Sequence, residues 1–242
     1  MAANFYPNPM TITVHRADSR GKGDYDWLST RHSFSFANWH DPKRMGFGAL
    51  RVLNDDIIAP HTGFDMHAHA DFEIVTIVEA GVVTHEDSMG THARVTEGEV
   101  QVMSAGTGVV HGEFNREDVP LALFQLWIEP NEKGVTPRYD QKAFNPSEEF
   151  ALLVSGDGRE ESLVIYQDAS IYRGKIPAGT SLVHEVPKGK GVYLFVIEGM
   201  LTLGDITLST RDAAEIKEAD DLVLVAKLAT SFLLIEVPLE KA

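Results

Sequence analysis

The sequence contains no cysteine, so disulfide bonds and thiolate metal ligands play no part in its structure or chemistry. It also has no apolar run near the roughly 18 residues that a membrane-spanning helix needs. The opening residues, MAANFYPNPM, lack the basic start and apolar core of a secretory signal. We therefore expect a cytoplasmic protein that makes no contact with a membrane.

Positive charge is scarce, with 21 Lys and Arg residues against 36 Asp and Glu residues and a net charge of −15. No stretch is basic enough to bind a phosphate backbone, so we expect no direct contact with nucleic acid, although a protein partner remains open. Hydrophobic residues make up 43% of the 242 residues. This content excludes a disordered chain and suits one large β domain or two small ones.

Short β-rich stretches alternate with turn signals along the chain. The pattern predicts strands at 75–78, 82–84, 100–103 and 121–128, and again at 192–197, 200–203, 206–208, 222–225 and 232–237. Many short strands at regular spacing indicate an all-β sandwich or barrel. A polar, proline-containing region at 130–162 is expected to link two halves.

A faint internal repeat supports two β domains in tandem. The segment IVEAG at 77–81 resembles VIEG at 196–199, and WIEP at 127–130 resembles LIEVP at 234–238. Nine of the ten histidines lie before residue 112, and only His184 follows. We therefore expect the second domain to keep the shape of the first without its metal site.

Two short pairs, His67-Ala68-His69 and His111-Gly112-Glu113, carry the strongest chemical signal. Side chains two residues apart share one face of a β-strand, so each pair can point into one cavity. Three imidazoles and one carboxylate suit a single divalent metal such as Fe, Mn, Co, Ni, Cu or Zn. Six-coordinate geometry would leave two positions for water, substrate or dioxygen. A small-residue, glycine-rich loop at 104–108 gives the second pair a route to the first.

Glu73 has the same strand parity as His69 and is a fifth candidate ligand. Because four ligands are already available, we favour a supporting or structural role for it. The other histidines lack a partner at ligand spacing. We interpret them as part of a solvated face (His85, His92), as flanks of a packed aromatic segment (His32, His40), or as residues without a direct role (His15, His61, His184).

The spacing of these residues resembles the two sequence motifs of the cupins. It runs Gly63-x3-His67-Ala68-His69-x3-Glu73-x7-Gly81, then Gly98 and His111-x3-Asn115. Four segments resemble the pirin family more narrowly, and its bacterial members described as quercetin 2,3-dioxygenases most closely: HSFSFANWHDPKRMGFGALRVLNDD (32–56), THEDSMG (84–90), QVMSAGTGVVHGEFN (101–115) and QLWIEP (125–130). The resemblance is strong over 12–140 and continues more weakly to the C-terminus.

The resemblance implies a bicupin, that is, two tandem jelly-roll β-barrel domains. The metal-binding domain is expected at 11–140, and the linker and a second cupin domain without a metal at 141–242. The implied metal ligands are His67, His69, His111 and Glu113, with no ligand role for Glu73. The sequence departs from general cupins at Ser104, where the second motif often has proline, and in a longer loop before His111.

The family also implies a reaction, the oxidative cleavage of the central ring of a flavonol such as quercetin by dioxygen, with Fe(II) as the expected metal. The metal would acidify the substrate hydroxyl, Glu113 would act as the catalytic base, and carbon monoxide would leave. The alternative is a non-enzymatic, metal-dependent regulatory or binding protein of the pirin type with a protein partner. A third is a cupin enzyme for another substrate.

For a small aromatic substrate, aromatic and thioether side chains make suitable pocket walls. On this basis the predicted substrate pocket consists of Phe36, Phe47, Met103 and Gln125. The native metal, the physiological substrate and the oligomeric state stay open at this point.

Overall fold

The computed structural model of the chain describes residues 10–145 and 147–240. Over these residues the chain is almost entirely β-structure, with two short 3₁₀ turns at Ala17–Ser19 and Arg159–Glu161. The strands before residue 145 are β1 (Thr11–His15), β2 (Gly21–Asp24), β3 (Leu28–His32), β4 (Leu50–Ile58), β5 (Thr62–His69), β6 (Glu73–Ala80), β7 (Val82–Asp87), β8 (His92–Thr96), β9 (Glu99–Ser104), β10 (Val109–Asn115), β11 (Leu121–Ile128) and β12 (Arg138–Ala143).

The strands after residue 145 repeat the same pattern. They are β13 (Phe150–Ser155), β14 (Leu163–Val164), β15 (Ser170–Ile176), β16 (Ser181–Glu185), β17 (Lys190–Glu198), β18 (Met200–Leu203), β19 (Ile206–Ser209), β20 (Ala213–Lys217), β21 (Asp221–Ala226) and β22 (Thr230–Pro238). Every strand predicted from the sequence lies inside one of these. In the described ranges, no helix is long and apolar enough to cross a bilayer.

Each half consists of a seven-stranded sheet and a four-stranded sheet. The first half has the orders β12-β9-β6-β11-β4-β3-β2 and β5-β10-β7-β8. The second half has the orders β1-β20-β17-β22-β15-β13-β14 and β16-β21-β18-β19. The central strands β9, β6, β11 and β4 therefore correspond in order to β20, β17, β22 and β15. This arrangement confirms the predicted all-β architecture of two similar halves.

The two seven-stranded sheets share one hydrophobic core. Alternate side chains of β6 face opposite ways: Val75 and Ile77 belong to the core between the halves, whereas Thr76 faces β10. From the second half, Tyr193 and Phe195 enter the same core and are fully buried. Strands covered on both faces read as continuous apolar runs, which explains the sequence of β11.

The first strand of the chain belongs to the sheet of the second half. β1 pairs antiparallel with β20, with Thr11 opposite Lys217 and His15 opposite Ala213. At the matching edge of the first half, β12 pairs with β9. The region predicted as a linker therefore contains β12 and β13. An edge strand keeps one side in solvent, which explains the polar sequence of β12. The predicted division at 140/141 falls within β12 and stays a prediction.

Candidate metal centre

The two histidine-containing pairs lie on adjacent antiparallel strands, β5 and β10. His111 is directly opposite His67, and the register shifts before Glu113, which pairs with Phe64. β5 thus carries one extra residue here, a bulge of the kind that re-aims side chains beside a site. Gly63 permits the close approach, because a Cβ at this position would collide with the backbone oxygen of Glu113. The two pairs therefore lie on neighbouring strands, where His111 groups with His67 and His69, whereas Glu113 groups with His111 and His85.

The glycine-rich loop before β10 makes the tight turn expected of it. Gly106 has a φ of +45°, which lies in the left-handed region. A Cβ on this residue would overlap the backbone oxygen of Val135. The loop therefore fixes where β10 begins, and this sets which residue of β5 lies opposite His111.

Three imidazoles form a compact cluster. The candidate ligand atoms of His67, His69 and His111 all lie within 4.8 Å of one another. The Nδ1 of His67 lies 2.7 Å from the backbone oxygen of Asp65, so Nδ1 is assigned as the donor and Nε2 keeps its lone pair. His111 is 1% exposed, and neither of its ring nitrogens has a hydrogen-bond partner among the described residues. A buried nitrogen without a hydrogen-bond partner costs free energy, and coordination to a divalent metal would give one nitrogen of His111 a partner.

The cluster favours uncharged imidazoles. Burial, reinforced by neighbouring histidines, lowers the pKa of His69 to about 4 and the pKa of His111 to about 3. Both rings are therefore neutral at pH 7, which is the form that coordinates a metal.

This shift predicts a pH dependence of the metal-free protein. Unfolded histidine has a pKa of 6.5, so between pH 6.5 and about 4 the unfolded chain takes up protons that folded His69 and His111 do not. We expect the free energy of unfolding to fall as the pH drops through this window. Urea unfolding at several pH values should show a shallower fall for a His69→Gln/His111→Gln double variant. An equal fall in the free energy of unfolding with pH for the two proteins would contradict the lowered pKa values of His69 and His111.

Glu113 is held by three donors from the seven-stranded sheet. Thr76 Oγ1 and Gln101 Nε2 donate to Oε1 over 2.9 and 2.5 Å, and Gln125 Nε2 donates to Oε2 over 2.5 Å. Gln101, Thr76 and Gln125 are direct cross-strand neighbours on β9, β6 and β11. Both carboxylate oxygens are thus fixed from the wall opposite β10. Sequence reasoning missed Thr76 and Gln101, although each is a polar residue inside an apolar strand.

The structure corrects the interpretation of His85 as part of a solvated face. His85 is fully buried, and its ligand atom lies within 4.8 Å of those of His111 and Glu113. Its Nε2 is 2.9 Å from Oδ2 of Asp87, and its ring centroid is 4.6 Å from that of Tyr139. The burial of β7 alternates, so His85 and Asp87 point inward while the residue between them points out. The two-residue spacing of His85 and Asp87, which puts both on the inward face of β7, is the sequence pattern that could have indicated this. His92, by contrast, is exposed.

Glu73 stands apart from the cluster. The chain turns at 70–72 after β5, so Glu73 begins β6 in the other sheet of the sandwich. Its Oε2 accepts a hydrogen bond of 2.6 Å from Ser104 Oγ. This contact supports a structural role, as favoured from the sequence.

A cavity of about 410 Å³ opens onto the cluster, and both His67 and Glu113 line it. Phe36 and Gln125, predicted as pocket residues, also line it. The ring of Phe36 meets Trp127 edge to face at 5.4 Å, and Trp127 in turn contacts His69 at 4.7 Å. The cavity volume falls in the range of small-molecule sites.

Three other sequence interpretations change in this region. Phe47, predicted as a pocket wall, lies in the core between the halves, 6.1 Å from Tyr193. Met103 does not line this cavity and packs in a small core cluster with Ile74. His32, interpreted as a flank of a packed segment, lines the cavity. Apolar composition alone does not distinguish a cavity wall from a core, since both are built from the same residue types.

The corresponding strands of the second half lack the His-x-Glu pair and keep only one histidine, His184, at the place of His67. His184 on β16 is opposite Leu222 on β21, as His67 is opposite His111. Leu222 and Leu224 offer no ligand atom at the places of His111 and Glu113. His184 Nε2 instead lies 2.8 Å from Oε1 of the buried Glu236. In the described part of the chain, both groups of three residues that could hold a metal ion lie in the first half.

Comparison with known proteins places this geometry in a family. Residues 13–128 match the family described as Pirin, and residues 152–237 match the quercetinase C-terminal cupin domain. A quercetin 2,3-dioxygenase of Escherichia coli (strain K12) is 40% identical over 228 residues, which cover 94% of this chain and 99% of the relative. A pirin-like protein of Caulobacter vibrioides is 40% identical over 213 residues, covering 86% of this chain and 92% of the relative.

A solved structure agrees with these matches. A bacterial pirin from Escherichia coli in complex with nickel(II) superposes with a TM-score of 0.91 at 40% identity, covering 94% of this chain and 99% of its own. Sequence and structure are thus similar along nearly the whole chain. The chain belongs to the pirin family, with a pirin domain followed by a quercetinase C-terminal cupin domain.

Proposed function

We propose that the protein is a metal-dependent dioxygenase that cleaves the central ring of a flavonol such as quercetin, with the metal held by His67, His69, His111 and Glu113. The observation that carries this proposal is the buried, unpartnered His111 within a histidine cluster that opens onto an aromatic-walled cavity. The relatives named quercetin 2,3-dioxygenase support the reaction. The substrates are therefore a small aromatic molecule and dioxygen.

Fe(II) is the metal that we propose for turnover. Neutral imidazoles with one carboxylate suit Fe(II) among the first-row divalent ions, and the chain has no thiolate to favour a softer ion. The nickel(II) complex of the Escherichia coli pirin supports a divalent ion at a site of this family.

The residues around the cavity fit the proton transfer that this reaction requires. A bound divalent metal would supply Lewis acidity, which lowers the pKa of a flavonol hydroxyl. Glu113 is the one carboxylate among the four proposed ligands and accepts the hydroxyl proton. Gln101 and Gln125 hold its oxygens in place, so little reorganisation accompanies the transfer. Phe36 and Trp127 provide flat walls for the substrate ring and exclude water from one side of it.

The reaction balances without a further reductant. Both atoms of dioxygen enter the organic product, a depside, in which the central ring is open. The ring carbon that carried the deprotonated hydroxyl leaves with its oxygen as carbon monoxide.

The test is to load the protein with Fe(II) without oxygen and then to add quercetin and dioxygen. We expect carbon monoxide and depside in equal amounts, with both atoms of ¹⁸O-labelled dioxygen in the depside. Headspace gas analysis and mass spectrometry measure the two products, and His92→Ala serves as a histidine control outside the site. A fully metallated protein that produces neither would exclude the dioxygenase and favour a metal-dependent binding protein.

A further inference from the structure

Besides Glu113, two acidic side chains line the same cavity, the exposed Asp65 and the buried Asp56. Asp56 lies on β4, directly opposite Thr30 on β3, and it lines the cavity together with His67 and Glu113. It is only 2% exposed. Its Oδ1 has no hydrogen-bond partner among the described residues. A buried carboxyl with a free oxygen at a cavity wall is a feature that folding alone does not require.

Asp55, the neighbour of Asp56 on the opposite face of β4, has the charged partners that Asp56 lacks. Asp55 pairs with Arg20 at 3.1 Å and with Arg211 at 3.5 Å, which explains its place in the structure. Asp56 has no cationic partner: the Thr30 side chain hydrogen-bonds to its carboxyl, and the charged groups that act on it are Asp55 and Glu113, both acidic. Burial, more than these charges, raises the pKa of Asp56 to about 7. A carboxyl in this setting is partly protonated near neutral pH and can both donate and accept a hydrogen bond.

The surroundings of Asp56 indicate what it would bind. Phe36, Phe64 and Trp127 line the same cavity and suit a flat ring system. A ring hydroxyl both donates and accepts, so it complements the carboxyl, whereas an anionic group would meet Asp56 and Glu113 at a cost.

We propose that Asp56 binds a ring hydroxyl of the substrate and makes the cavity select polyhydroxylated aromatic molecules over the same ring system without these hydroxyls. This inference rests on the proposed function and names the residue that sets its substrate class. A site built to pair with a hydroxyl rejects analogues that lack it, because the buried polar group is then left unpaired.

The test measures binding rather than turnover. Quenching of tryptophan fluorescence in the Zn(II)-loaded, full-length protein without oxygen gives dissociation constants for quercetin and for unsubstituted 3-hydroxyflavone. We expect the native protein to prefer quercetin by about tenfold, the value of a net neutral hydrogen bond. Asp56→Leu should lose this preference through weaker binding of quercetin alone. Asp56→Asn, which keeps a donor and an acceptor, should retain most of it.

The matched control is Asp55→Asn, on the same strand but on its other face. It should lower the melting temperature without changing the ratio of the two dissociation constants. Asp56→Leu should melt close to the native protein, because removal of a buried oxygen without a partner offsets the loss of the hydrogen bond with Thr30.

The outcomes separate this inference from the proposed function. An unchanged preference in Asp56→Leu overturns the role of Asp56 and leaves the dioxygenase standing. Loss of the preference in Asp56→Leu, with no turnover by the native protein, supports Asp56 and overturns the dioxygenase. Failure of the native protein to bind either molecule overturns both.

Discussion

His111→Ala is expected to yield a folded protein that binds no metal and has no dioxygenase activity. His111 is the residue shared by both groups of candidate ligands, and it is buried between β5 and β7. Loss of a residue that merely supports a ligand costs about 10- to 100-fold in metal affinity. Loss of this ligand should cost more than about 100-fold, because it removes a donor atom, and the nearby His85 has its Nε2 beside Asp87 Oδ2.

Elemental analysis of the protein after loading and desalting measures this effect. Circular dichroism should show that the variant is folded. The metal-free variant should be about as stable as the native metal-free protein, because removal of two buried nitrogens without partners offsets the cavity left by the ring. His92→Ala, an exposed histidine on β8, is the matched control and should retain one metal per chain. A His111→Ala protein that retains a full equivalent of metal would remove His111 from the site.

Phe195→Ala is expected to give the largest loss of stability, about 3–5 kcal/mol, as for other buried aromatic residues cut back to alanine. Phe195 is fully buried in the core between the halves, with its ring 5.5 Å from that of Phe124. The guanidinium of Arg20 lies 5.5 Å from the ring centroid as well. The substitution therefore removes contacts to the first half from a residue of the second.

Tryptophan fluorescence makes this coupling visible, because all three tryptophans (Trp27, Trp39 and Trp127) lie in the first half. In urea, the tryptophan signal of Phe195→Ala should move to lower denaturant concentration, although the altered residue lies in the other half. Val183→Ala, at a side chain that is 64% exposed, should leave the midpoint unchanged. An unmoved tryptophan transition in Phe195→Ala would mean that the two halves unfold independently.

Local periodicity predicts some of the strands that carry the core, but not β4 or β15, which contribute Leu53 and Ile171 to it. The apolar runs at 75–78 and 121–128 can be identified from residue type alone, and the His-x-His and His-x-Glu spacings do not depend on where a strand is taken to end. β1 could not be placed in this way. Its five residues resemble any short strand, and its partner β20 lies at the other end of the chain.

The candidate site was predictable where its residues lie close together in sequence and hidden where they do not. His67 and His69 are two residues apart, whereas the donors to Glu113 come from β6, β9 and β11 and become neighbours only through strand register. His85 looked solvated because it stands among acidic residues, and only its parity on β7 shows that it points inward. Burial, rather than residue type, separates Asp56 from Asp55.

The pairing of β1 with β20 has a consequence for the nascent chain. Thr11 leaves the ribosome early, but its partner Lys217 is synthesised about 200 residues later, which at about 5–20 residues per second is a delay of about 10–40 s. During that interval the first half can form its two sheets, while β1 has no partner strand. Pairing of β1 with β20 is therefore a late, long-range step, and a ribosome that stalls before β20 leaves an unpaired strand exposed.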